Sequence, residues 1–172
     1  DKPAAKTAFA HASEVAQSAG RKVALTLSDV FCVDRHRDSF RHLIRTHVDL
    51  VFANEEELLA LYETRDFDEA LIRVRDDAQL AAITRSSKGS VVVNGSDTWT
   101  AEATPIARVV DATGAGDQYA AGFLYGITHG LSLTDSARLG HVCAGEVISH
   151  VGPRPQCSLR DLAREFGLKL PV

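Results

Sequence analysis

Val48-Asp49-Leu50-Val51-Phe52-Ala53-Asn54-Glu55-Glu56-Glu57 passes from an apolar run to an acidic one at a single residue. The stretch to Ala53 is short and apolar without alternation, which reads as a strand buried on both faces. Asn54 then has the side chain of a helix N-cap, and the glutamates behind it meet the positive end of the helix dipole. A buried strand that hands over directly to a helix is the repeating unit of α/β proteins.

The same alternation extends outward in both directions. On the N-terminal side, Ala4 to Ala19 carries apolar residues at helical spacing with Gly20 placed to end the helix, and Lys22 to Leu27 reads as a strand. Phe40, Leu43 and Ile44 share one helical face in the polar segment from Arg35 to His47. On the C-terminal side, Glu55 to Tyr62 and Phe67 to Val74 read as helices, and Leu80 to Thr84 and Ser90 to Val93 as strands. Asn94-Gly95-Ser96-Asp97 is a hairpin turn signal. Gly116 to Gly130 reads as a helix with small residues on one face, Thr134 to Val151 as a second with Thr134 as N-cap, and Ser158 to Phe166 as a last short one capped by Ser158. With no internal repeat and no low-complexity linker, the expectation is a single α/β domain over residues 1–172, a mostly parallel sheet with helices on both faces.

Composition narrows the partners. The 172 residues are 45% hydrophobic and 24% charged, with a formal charge of −4. No basic stripe suggests nucleic acid or an anionic membrane, and no apolar run approaches the roughly 20 residues of a membrane helix. Small molecules or protein are the expected partners, and a cytoplasmic location is expected by default. Cys32, Cys143 and Cys157 form no CxxC pair and are read as reduced, mostly buried thiols. His36, His42 and His47 lack the cysteine or carboxylate company of a zinc site. The chain contains no methionine, so Asp1 is not read as a native translation start.

The chemistry concentrates in Asp111-Ala112-Thr113-Gly114-Ala115-Gly116-Asp117, where a loop turns into a helix. Glycine lets the backbone bend close to a ligand. The first amides of a helix have no internal partner, so the N–H groups of Ala115, Gly116 and Asp117 are candidates to hold an anion. Asp117, in the first helical turn, is placed to accept the proton of a hydroxyl attacking a phosphoryl group held by those amides. Glycine-rich turns also open many helices that bind nothing, and aspartate is a good first-turn residue in its own right.

The longer string Val109-Val110-Asp111-Ala112-Thr113-Gly114-Ala115-Gly116-Asp117-Gln118-Tyr119-Ala120-Ala121-Gly122-Phe123 resembles the second signature of the PfkB, or ribokinase-like, carbohydrate kinases. That resemblance implies an α/β fold, ATP and Mg²⁺ as cofactors, Asp117 as catalytic base, and Gly114, Ala115 and Gly116 as the anion hole. It also implies a monovalent cation, K⁺, near Asp111 and Thr113 in some members. Asn54 and Glu57 match the family's NxxE motif, implying a hold on magnesium through bridging water; strand C-termini are where open α/β sheets bind ligands, which predicts one rim for Asn54 and the glycine-rich loop. Thr84-Arg85-Ser86-Ser87-Lys88-Gly89 resembles the TxGxxG stretch that lines the nucleotide, with Thr84 and Gly89 retained and Ser86 in place of the first glycine. The helix from His141 to His150 matches one that flanks the adenine pocket, though most of its apolar residues read as ordinary core.

Leu25-Thr26-Leu27-Ser28-Asp29-Val30-Phe31 departs from the DPNxR of many sugar kinases and looks closer to the NLS-type segment of adenosine kinases, with Gly126 to Gly152 and Pro153-Arg154-Pro155 adding to the impression. The expected acceptor is therefore a nucleoside, with a sugar as the alternative. The match falls on roughly the second half of a family member. The acceptor-binding half and the sheet lid, through which members often form homodimers, are not visible in these residues. A nucleotide- or anion-binding module without catalysis is accordingly the reading from a different class.

Overall fold

The computed structural model describes residues 3–171. Among the described residues, seven helices and five strands follow one another as α1 (Pro3–Ser18), β1 (Ala24–Thr26), α2 (Val30–His47), β2 (Leu50–Asn54), α3 (Glu55–Tyr62), α4 (Phe67–Asp77), β3 (Leu80–Thr84), β4 (Ser90–Asn94), β5 (Asp97–Ala101), α5 (Ala115–Thr128), α6 (Leu133–Val147) and α7 (Leu159–Glu165). The strands form one five-stranded sheet in the order β1-β2-β3-β4-β5. It begins parallel, with Ala24 opposite Leu50 and Thr26 opposite Phe52. Short links then join β3 to β4 and β4 to β5, so the sheet is mixed, and the α/β class read from the alternation is the one observed.

Packing divides the chain into two compact units, Asp1–Ile83 with Val93–Asp97, and Thr84–Val92 with Thr98–Val172. In the first unit, Leu27, Leu58, Leu61 and Ile83 are fully buried. Each such side chain contributes roughly 1.5–3 kcal/mol of transfer free energy. Asp77 ties three helices here: its carboxylate accepts from Arg41 at 3.3 Å, from Arg45 at 2.6 Å and from the Tyr62 hydroxyl at 3.1 Å.

In the second unit, α5 and α6 approach closely because both present glycine. A Cβ on Gly122 would lie 2.9 Å from the Gly140 Cα, and one on Gly126 would lie 2.5 Å from the Ser136 Oγ. Leu139, Val142, Cys143, Ala163 and Leu168 form the apolar cluster beneath α7.

Both boundaries of α6 differ from the sequence reading. The N-cap of α6 is Ser132, not Thr134: the Ser132 Oγ accepts from the Asp135 amide at 3.0 Å and donates to the Asp135 carboxylate at 3.1 Å, a reciprocal pair that Thr134 has no matching residue to make. The helix also ends at Val147, short of Val151. The Ile148 carbonyl accepts from the Val110 amide at 2.8 Å, and the Gly152 amide turns to the Asp111 carboxylate at 3.0 Å, so the bonds that would continue the helix are spent on another segment. Of the three thiols, all free, only Cys143 is buried; Cys32 is half-buried and Cys157 exposed.

Candidate active site

Gly114 is the N-cap of α5, at φ 83° and ψ 0°. That left-handed conformation suits glycine, and the space adds a second requirement, since a Cβ there would lie 2.6 Å from the Pro153 Cβ. Asp111 holds the loop from the other side. One carboxylate oxygen accepts from the Thr113 amide at 2.9 Å and the other from the Gly152 amide at 3.0 Å. The Thr113 and Gly152 amides hold the Asp111 carboxyl below its usual range. Gln118, one residue past Asp117, donates to the Pro153 carbonyl at 3.3 Å. The segment Gly152–Pro153 is therefore a brace for the glycine-rich turn, which the sequence reading used only as a family resemblance. No local sequence signal marks it, because the contacts span 35 residues or more.

The amides divide in a way the sequence did not foresee. The Ala115 N–H donates to the Ala112 carbonyl at 3.2 Å, closing a turn, so it is engaged in the chain's own structure and is not one of the open donors. The N–H groups of Gly114, Gly116 and Asp117 meet no acceptor among the described residues. Nothing lies within 4 Å of the position a Cβ on Gly116 would take. The Asp117 side chain is exposed and has no hydrogen-bond partner among the described residues. Open amides at the start of a helix of 14 residues, beside a carboxylate with no partner of its own, suit a ligand that brings negative charge and a proton to lose.

In the same unit, Thr84 ends β3, and Gly89 follows a single 3₁₀ turn, Ser86–Lys88, at φ 84°. A Cβ on Gly89 would lie 2.0 Å from the Ala101 carbonyl oxygen, so only glycine fits. Ser86 adopts φ 52°. That left-handed conformation costs a non-glycine residue on the order of 1 kcal/mol.

Asn54 and Glu57, in the other unit, form a reciprocal capping box. The Glu57 amide donates to the Asn54 Oδ1 at 2.8 Å, while the Asn54 amide and Nδ2 donate to the two Glu57 carboxylate oxygens at 3.0 and 2.7 Å. Glu57 is 6% exposed, and this burial pushes its carboxyl pKa up. The Asn54 amide opposes the shift and Asp29 adds to it. Each Glu57 oxygen keeps one lone pair beyond its bond to Asn54, and no group of three or more His, Cys, Asp or Glu residues able to hold a metal occurs among the described residues. The pair fits magnesium held through water and does not fit a cage of protein ligands.

The pfkB family carbohydrate kinase profile matches residues 1–159. The chain belongs to that family. Its fold superposes on the adenosine kinase from Sinorhizobium meliloti with a TM-score of 0.93 and 51% identity, covering 96% of this chain and 51% of that one. A probable sugar kinase from Rhizobium etli CFN 42 gives a TM-score of 0.92 and 48% identity, over 95% of this chain and 50% of that one. Cytidine kinase of Thermococcus kodakarensis is 39% identical over 121 residues, 69% of this chain and 43% of the relative. The fold of this pfkB chain is therefore the ribokinase-like α/β fold, and the chain spans about half the length of the relatives it matches.

One group in this pfkB chain escaped the sequence reading altogether. Tyr119, Ser90 and His141 meet in the interior: the Tyr119 hydroxyl donates to the Ser90 Oγ at 2.9 Å, and the His141 Nε2 lies 2.9 Å from the same oxygen. Burial pushes the Tyr119 phenol up to about 12 and the His141 imidazole down to about 4. The available signal was a histidine among the apolar residues of α6 and a serine opening an apolar strand, neither of which points to the other. Among the described residues no helix is long and apolar enough to cross a membrane.

Proposed function

We propose that this chain is the phosphoryl-transfer part of an ATP-dependent small-molecule kinase whose acceptor is the hydroxymethyl group of a nucleoside. The single observation that carries the reading is the pairing at the start of α5 of open backbone amides with the unpartnered carboxylate of Asp117. In this reading the Gly114, Gly116 and Asp117 amides bind the oxygens of the transferring phosphoryl group, where charge accumulates as the bond to the leaving phosphate breaks. Asp117 takes the proton from the attacking hydroxyl. Asn54 and Glu57 would hold a magnesium ion through water, and the ion would supply charge neutralisation to the phosphates. Thr84, Gly89 and Thr113 are proposed to line the nucleotide, and Asp111, with both carboxylate oxygens holding backbone amides, is the proposed neighbour of a monovalent cation.

A nucleoside is favoured over a sugar by the segment Leu27-Ser28-Asp29, in which Ser28 adopts φ 72° before Asp29 caps α2, and by likeness to a solved adenosine kinase and to a cytidine kinase. The test is an ATP-consumption screen of the full-length protein against adenosine, cytidine, ribose and fructose. The reading expects a nucleoside to give the highest kcat/KM. A sugar turned over at a higher kcat/KM than either nucleoside would replace the acceptor, and no ATP consumption with any of them would favour a binding module.

A further inference from the structure

We propose that the buried Tyr119–Ser90–His141 cluster is a positioning device for this reaction, fixing the rotation of the first turn of α5 and so the direction of the Asp117 carboxylate. The proposal rests on the reading of Asp117 as the base. Tyr119 lies two residues beyond Asp117, about 200° around the helix, so one side chain is buried where the other is exposed. Any rotation of the helix about its axis that moved Asp117 would break the bond from the Tyr119 hydroxyl.

Packing alone would not hold that angle as firmly. Phe123, one turn further on and stacked on Tyr119 with ring centroids 6.2 Å apart, supplies apolar contact, which is non-directional. The Tyr119 hydroxyl adds a direction, because its 2.9 Å bond to Ser90 ties α5 to β4. His141 brings in α6 through the same Ser90 oxygen and through an edge contact with the Tyr119 ring at 4.9 Å and 63°. Gly140 completes the fit: a Cβ there would lie 2.8 Å from both the Tyr119 ring and its carbonyl oxygen, so α6 presents bare backbone to this one side chain. Ser90, Tyr119 and His141 are 2%, 2% and 7% exposed. An all-apolar trio of similar volume would fill the space without burying polar groups, whereas a satisfied polar cluster specifies one arrangement. Both rings stay uncharged near neutral pH, since burial disfavours their ionised forms.

The experiment measures kcat, KM for ATP and the thermal midpoint of the full-length protein carrying Tyr119→Phe, Asp117→Asn or both, with Ser90→Ala as a second way to remove the bond. The expected result for Tyr119→Phe and Ser90→Ala is a folded protein with about tenfold lower kcat and KM for ATP within about twofold. In the Asp117→Asn background, Tyr119→Phe is expected to lower the residual rate no further, because it acts through Asp117. An equal fractional loss in both backgrounds, or an unchanged kcat in folded Tyr119→Phe while Asp117→Asn is inactive, overturns the positioning role and leaves the base intact. Failure of both Tyr119→Phe and Ser90→Ala to fold makes the cluster a stability element and also overturns it. Wild-type turnover in Asp117→Asn removes the base itself.

Discussion

Gly114 combines a left-handed backbone with the Pro153 side chain where its own would be, so alanine there must strain the turn and displace the brace. Gly114→Ala is expected to destabilise the protein by roughly 1–3 kcal/mol and to cost turnover beyond the loss of folded protein, read from denaturant unfolding beside specific activity. An unchanged midpoint would show that the loop relaxes freely. Glu57 presents a different case, because the capping box explains its position without any ligand. Glu57→Gln retains much of the cap and removes the charge, so the proposed link to magnesium predicts a higher Mg²⁺ concentration for half-maximal rate. A flat magnesium response would leave Glu57 as a cap alone. Gly114 by its turn and Asn54 as a helix cap were legible in the sequence. The brace at Pro153 and the bond that withdraws the Ala115 amide were not, since neither is encoded in residue type.

At the scale of elements, α6 carries a histidine whose burial has a defined cost. With the His141 imidazole pushed down to about 4 from an ordinary 6.5, the unfolded chain binds the proton more readily than the folded one. Stability from this source is therefore complete above pH 6.5 and falls as pH drops from there towards 4. The loss levels off below that, at roughly 3 kcal/mol by the usual 1.4 kcal/mol per tenfold change in proton affinity. His141→Gln should lose less stability than wild type between pH 7 and pH 4.5 in denaturant titrations, and parallel losses would place the acid sensitivity elsewhere. In the first unit, Asp77 joins α2, α3 and α4 through Arg41, Arg45 and Tyr62, with its side chain 5% exposed. Asp77→Ala is expected to cost about 2 kcal/mol by stranding those donors, measured as a shift in unfolding midpoint. The helices α3 and α4 and the strands β2, β3 and β4 were readable from the sequence because each buries a face or run set by local pattern. The end of α6 was not, because the Val110 and Asp111 segment takes over the bonds that would have prolonged it.

For the whole molecule, the α/β class follows from strand–helix alternation, and the pfkB family from fifteen residues around Asp117 together with the match over residues 1–159. The sequence reading found the open end of α5 but not the buried cluster beneath it, since Ser90, Tyr119 and His141 are brought together only by folding across 51 residues. In the proposed reading, this helix start performs phosphoryl transfer with Asp117 as base. The most direct measurement follows transfer of labelled γ-phosphate from ATP to a nucleoside by the full-length protein, wild type against Asp117→Asn, with ATP affinity measured on both. Near-complete loss of transfer is expected in Asp117→Asn, with ATP affinity within a few-fold of wild type; transfer at the wild-type rate by that variant would remove Asp117 from the role of base.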